Sequence, residues 1–268
     1  MSKRRSLRGK KGRSRPEGLF GADSSVPVTN QINGKNLIEL AAENFGEQPV
    51  VWGRYFTSAG TSGLVEYRHL RENQILRDAG LRVVPIARQT KHVGGAQNKG
   101  SADAQLNAED LIDTFGASYF VQIGGQVCMF LDVEGAPSLS TVYYLGWSHK
   151  IVAHSTDYSG DRVTILPCVY ATQGDVDTWK ALGDAVALGG ICRGAWVARW
   201  RMRGCGPPIP WDDAVVTPKV KIPCDVVLWQ YADECHGGSG FDCNRINPAI
   251  DRDAFLAKCV LPPETVVA

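Results

Sequence analysis

Short apolar runs alternate with stretches of helical periodicity along most of the chain. The runs at residues 19–23, 49–55, 81–87, 126–132, 162–170, 194–200, 226–231 and 241–246 predict eight strands. Between them the pattern predicts helices at 34–45, 66–79, 101–115, 139–158 and 176–188, with Gly80 and Gly116 placed as C-caps of the second and third. The strands are rich in Val and Ile without strict alternation, as expected of a parallel sheet covered by helices. Eight such strands over about 250 residues match an α/β fold of the (β/α)8 TIM type. A doubly wound open sheet competes with this reading, but GLFGADSSVPV lacks the Gly-rich phosphate loop that normally follows its first strand. The connection 201–221 holds Pro207, Pro208, Pro210 and Pro218 and shows no helical period. It reads either as a lid or as an irregular substitute for a barrel helix.

Charge separates two parts. Residues 1–18 hold eight Lys or Arg and one Glu, which leaves 21 basic against 27 acidic residues from the chain's totals of 29 and 28. A basic arm over 1–18 is therefore expected to precede a mildly acidic barrel domain over 19–262. The arm has too little apolar surface to fold alone and suits either docking on nucleic acid or an acidic protein surface, or a solvated tail. Leu7 is the large hydrophobe of residues 6–18, so Arg4 and Arg5 do not open a twin-arginine export signal, and no signal peptide is expected. Synthesis in the cytoplasm follows as the expectation. No apolar run reaches the roughly 18 residues of a membrane span.

Of eight cysteines, Cys128, Cys168 and Cys192 fall in expected core strands and read as packing. The others lie in or beside loops. Cys235 and Cys243 bracket the CHGGSGFDC loop and bridge it if the compartment is oxidising, whereas the lack of a leader favours reduced thiols. Zinc on Cys235, His236 and Cys243 is a further alternative, but their spacing suits tetrahedral geometry poorly. No metal and no cofactor is expected.

The segment GQVCMFLDVEG, residues 125–135, reads as a buried strand ending in two acids one residue apart. Side chains alternate along a strand, so Asp132 and Glu134 project to one side. Mutual repulsion raises the pKa of one of them, which suits glycoside hydrolysis: one carboxyl donates a proton while another steadies the positive charge on the ring. The alternative is that both acids simply leave the strand for solvent. Chemistry in such a barrel sits at the C-terminal rim. Residues expected there are Asp23, Arg54, Tyr55, Tyr170, Trp196, Arg199, Trp200, Trp229, Gln230, Tyr231, Asp242 and Asn244. Arg54, Tyr55, Tyr170, Trp196, Arg199 and Gln230 are the candidate sugar contacts, by stacking and by hydrogen bonds to hydroxyls. Duller roles stand beside these: Asp23 caps a turn, Arg54 pairs with Asp23 or Asp132, and the tryptophans are core.

In order along the chain, Asp23, GRY at 53–55, DVE at 132–134, WVARW at 196–200, WQYA at 229–232 and FDCN at 241–244 together resemble the family 25 lysozymes and their relatives, the glycoside-hydrolase-like barrels of uncharacterised function. GADSSVPVT, VVWGRYFT and AGLRVVPIA are more similar to the uncharacterised relatives. The resemblance implies a peptidoglycan-type glycan of β-1,4-linked N-acetylmuramic acid and N-acetylglucosamine as substrate. It further implies Glu134 as proton donor, Asp132 as the group that stabilises the cation or orients the substrate's acetamido group, and Asp23 and Asp242 as the frame of the site. The competing expectation is a catalytically silent glycan-binding or structural subunit of a phage or cell-envelope assembly, docked through residues 1–18. A phage product would reach the wall through lysis or inside a particle.

Overall fold

Residues whose side chains alternate between two apolar environments form strands, and here eight of them close a ring. The computed structural model describes residues 18–56, 66–67, 69–88 and 91–264. Apart from Gly18, the expected basic arm lies outside the described residues. The barrel strands are β1 (Phe20–Asp23), β2 (Val51–Phe56), β3 (Arg82–Arg88), β4 (Gln126–Val133), β5 (Thr164–Thr172), β6 (Ala195–Arg203), β7 (Val226–Cys235) and β8 (Phe241–Ile246). Each pairs with its neighbours in chain order, and β8 closes on β1. A small hairpin of Gln31–Ile32 and Lys35–Asn36 occupies the start of the first expected helix.

The outer layer contains α1 (Leu37–Phe45), α2 (His69–Asp78), α3 (Gln97–Phe115), α4 (Ala117–Gln122), α5 (Thr141–Ser159) and α6 (Val176–Ala187). Two short helices follow, α7 (Asp213–Val216) and α8 (Arg252–Leu256). Helix α1 starts at Leu37 because Asn36 and Glu39 form a reciprocal capping box there. Helix α3 begins four residues before the expected 101, and α4 was not visible in the pattern. No helix of the described residues is long and apolar enough to cross a membrane.

The ring is mixed rather than all-parallel. β8 runs antiparallel to both β7 and β1, and the remaining pairs are parallel. The cause is the five-residue link 236–240, far shorter than the dozen or so residues a parallel crossover needs. His236 and Gly237 take left-handed φ values of 65° and 72° to make that turn. In the connection from β6 to β7, the four-residue α7 stands where a barrel helix is expected. This connection is the irregular substitute rather than a lid, since Trp211 packs edge-on against Trp229, and Arg245 donates to the Ile209 carbonyl at 2.6 Å.

Alternation sorts the core into two clusters. Val84, Ile86, Cys128, Phe130, Cys168, Tyr170 and Trp196 fill the barrel. Trp52, Met129, Leu131, Val133 and Trp229 face the outer layer. Arg54 follows the outward phase of Trp52. Its guanidinium is fully buried against Glu72 of α2, with Nε to Oε2 at 2.9 Å and Nη2 to Oε1 at 3.0 Å, and also donates to the Ser24 carbonyl at 3.0 Å.

Cysteine pairing also differs from expectation. Cys205 and Cys235 form a disulfide, so not all thiols are reduced, and Cys235 does not bridge to Cys243. The hairpin register explains this: Cys235 lies opposite Phe241, whereas Cys243 lies opposite Ala232. The same bond occupies the Cys235 sulfur that the zinc alternative required.

Removing Glu72 takes from a buried guanidinium the carboxylate that makes two hydrogen bonds with it. Glu72→Ala is expected to lower the unfolding free energy by about 3–5 kcal/mol in chemical denaturation, and Arg54→Met with Glu72→Leu by clearly less.

Candidate active site

Parallel strands bring their C-terminal ends to one rim, and the reversed β8 brings its beginning there. Asp23 ends β1 and lies directly opposite Asp242 at the start of β8. Asp132 sits near the end of β4, opposite Arg88 of β3 and Tyr170 of β5. Glu134 follows one residue after β4. A cavity of about 230 Å³ opens among Asp23, Tyr55, Arg88, Glu134, Glu234 and Asp242, with backbone of the 237–240 turn completing its wall. Gly53 permits the close packing beneath it. A Cβ there would come within 2.6 Å of the Asp23 Cβ and 2.8 Å of the Trp196 ring.

Asp132 and Glu134 do face the same side, because one guanidinium reaches both. Arg88 Nε is 3.5 Å from Asp132 Oδ2, and Arg88 Nη2 is 3.8 Å from Glu134 Oε2. The Asp132 side chain is fully buried, while that of Glu134 is 33% exposed. Neither Asp132 oxygen has a hydrogen-bond partner among the described residues. Arg88 also lies 5.5 Å over the Tyr55 ring.

A hydrogen-bond chain links the other acids. The Tyr170 hydroxyl is 2.8 Å from Glu134 Oε1 and 2.8 Å from Gln230 Oε1. Gln230 Nε2 donates to Asp23 Oδ1 at 3.1 Å and to Asp242 Oδ2 at 3.2 Å. Asn244 adds a donor to Asp23 at 2.6 Å, and the Glu234 backbone N–H donates to Asp242 at 2.7 Å. Trp200, 44% exposed at the rim, fixes Gln230 by donating to its Oε1 at 2.8 Å.

Burial dominates the electrostatics. It pushes Asp23 up to about 7, against the donors from Asn244 and Gln230, with the Glu134 charge adding to the rise. Asp242 rises to about 8 by burial and the charge of Asp23. Asp132 is raised well above the ordinary carboxylate range by burial and the charge of Glu134, with Arg88 opposing. Burial also raises the phenols of Tyr55 and Tyr170, the charges of Asp132 and Glu134 respectively adding most to each rise.

The expected catalytic and sugar-contact residues meet four different outcomes. Asp23, Asp132, Glu134, Asp242, Tyr55, Tyr170 and Gln230 come together. Arg54 does not: consecutive residues of a strand face opposite ways, so Tyr55 turns inward and Arg54 is held behind the wall by Glu72. Trp196 is 1% exposed beneath the cavity, edge-on to Tyr170 at 5.2 Å and donating to Asn244 at 3.0 Å, so it supports the site from below instead of meeting a sugar. Arg199 is exposed outside the cavity lining, and its carbonyl accepts from Trp229 at 2.9 Å. Sequence reading missed Arg88 and Glu234. Arg88 lies one residue beyond the expected end of its strand, and its phase with Val84 and Ile86 is the signal that marks it as inward.

No family model matches the chain, and no curated protein matches it in sequence. Solved structures do. An uncharacterized B. stearothermophilus protein superposes with a TM-score of 0.66 at 20% identity, covering 90% of this chain and 100% of its own. A muramidase from Acremonium alcalophilum superposes at 0.50 and 16% identity, covering 90% and 99%. A bacterial lysozyme from Streptomyces coelicolor gives 0.49 at 18% identity, covering 91% and 98%. The likeness to the first two shows that the chain shares their fold.

The raised acids set a pH dependence. The folded form holds protons on Asp23 and Asp242 that the unfolded chain releases above its ordinary value of 3.8. Their contribution to stability is therefore greatest at low pH and falls as pH rises toward 8. Asp242→Asn, which cannot ionise, is expected to gain in thermal midpoint relative to the wild type between about pH 5 and about pH 9. Parallel profiles for the two proteins contradict the assignment.

Proposed function

We propose that this chain is a glycoside-hydrolase-like protein acting on peptidoglycan-type, β-1,4-linked amino-sugar glycan by carboxylate acid catalysis. The observation that carries the reading is the pair at the end of β4: Glu134 partly open to the cavity, and Asp132 buried beneath it, with Arg88 3.5 Å from one of its oxygens and no hydrogen bond to either among the described residues. An unsatisfied buried carboxyl is costly and is retained where a ligand or a developing charge meets it. A neighbour of the same fold is named a muramidase, which supports the choice of glycan.

In this scheme Glu134 gives its proton to the leaving glycosidic oxygen, and Asp132 steadies the positive charge on the ring or orients the acetamido group. Tyr170 has one O–H proton and two acceptors at equal distance. While Glu134 is protonated, it donates to the Tyr170 oxygen and the phenol donates to Gln230. Once Glu134 is ionised, the phenol turns its hydrogen to the new anion. Asp23 and Asp242, tied through Gln230, hold the frame against which this exchange takes place. No metal or cofactor enters the scheme.

One observation favours a second reading. Arg88 lies against both Asp132 and Glu134, a neutralising contact that suits a catalytically silent barrel which binds glycan or serves as a subunit of a larger assembly. In that case residues 1–18 dock on an acidic partner. Under either reading, release by lysis or carriage in a particle is the route to a wall that we propose.

Turbidity of purified cell walls separates the two. Wild type is expected to clear them, Glu134→Gln to lose about 10²–10⁴-fold in rate, and Tyr170→Phe about tenfold. Wall binding that survives in the wild type without clearing leaves the silent reading.

A further inference from the structure

The β6 to β7 crossover runs from the rim back to the base of the barrel with the short α7 as its one helical element among the described residues. Its upper end is bonded, since Cys205 follows β6 and Cys235 ends β7. Its lower end has the same arrangement of side chains. Cys192 lies three residues before β6 and Cys224 two residues before β7. Those strand starts are adjacent: Ala195 is in register with Val226, and the Ala195 N–H donates to the Asp225 carbonyl at 2.8 Å. Adjacent strands lie within the Cα separations that a disulfide spans. The two sulfur atoms are 2.8 Å apart, nearer than unbonded sulfurs rest.

We propose that Cys192 and Cys224 form a second disulfide, which fastens the lower end of the crossover as Cys205–Cys235 fastens the upper one. The chemistry is thiol–disulfide exchange with a small disulfide, RSSR. The Cys192 thiolate attacks one sulfur and expels RS⁻, and the Cys224 thiolate then displaces the second RS⁻ to leave the protein bond. Two protein thiols are oxidised, both electrons pass to RSSR, and two RSH leave with the protons. The hydrogen bond from Cys224 lowers the Cys192 thiol and so supplies the attacking thiolate, while Cys224 is raised by the same contact. Of the remaining thiols, Cys128, Cys168 and Cys259 are buried with the barrel interior and its base, and Cys243 is buried on the outward side of β8, where Asn44 of α1 donates to it at 3.6 Å.

Counting free thiols in denaturant after exposure to oxidised glutathione tests this without depending on the fold of any variant. Intact mass excludes mixed adducts. Eight cysteines with two bridges leave four titratable thiols, and Cys224→Ser raises the count to five by freeing Cys192. With the single bridge Cys205–Cys235 the wild type instead shows six, and the same substitution lowers the count to five. Six in the wild type overturns the proposal. Tryptic cleavage at Lys219 and Lys221 is expected to be several-fold faster in Cys192→Ser/Cys224→Ser than in the oxidised wild type. Equal cleavage rates overturn the fastening role.

Discussion

At the mouth of the barrel Asp23, Asp132, Glu134 and Asp242 repel one another across a space from which water is partly excluded. Each must be relieved by a proton, a cation or fixed dipoles. The structure uses all three. Asp23 and Asp242 hold protons to about 7 and about 8 and share the amide of Gln230. Arg88 stands between Asp132 and Glu134. Tyr170, Asn244 and the Glu234 N–H supply the dipoles. Trp196, Trp200 and Gly53 act one step back: the first two position amides, and the third leaves room for Asp23 to approach.

How much of this the sequence discloses depends on which physical rule governs each part. The eight apolar runs mark the eight barrel strands because a strand covered on both faces must be apolar nearly throughout. The D-x-E spacing places Asp132 and Glu134 on one side for the same period-two reason that separates Arg54 from Tyr55. Applying that rule to GRY as strictly as to DVE excludes Arg54 from the cavity. Arg88 escaped because a polar residue after an apolar run resembles the start of a loop, although its phase continues that of Val84 and Ile86.

Direction and connectivity are less legible. An apolar run has no arrow, so the reversal of β8 is encoded in the five residues 236–240, whose Gly-rich composition permits a hairpin and whose length forbids a crossover. The Cys205–Cys235 bond joins residues 30 apart, and no local spacing points to it. It becomes intelligible once the 204–225 crossover is seen to lack a full barrel helix, whose regular backbone bonding would otherwise fix the course of the connection.

The reversed strand has a further consequence. Because the wall beside Asp242 is a hairpin tip and not a loop feeding a helix, residues inserted or deleted at 237–239 shift no element of the outer layer. The breadth of the opening is thus adjustable on its own, leaving the barrel scaffold unaltered.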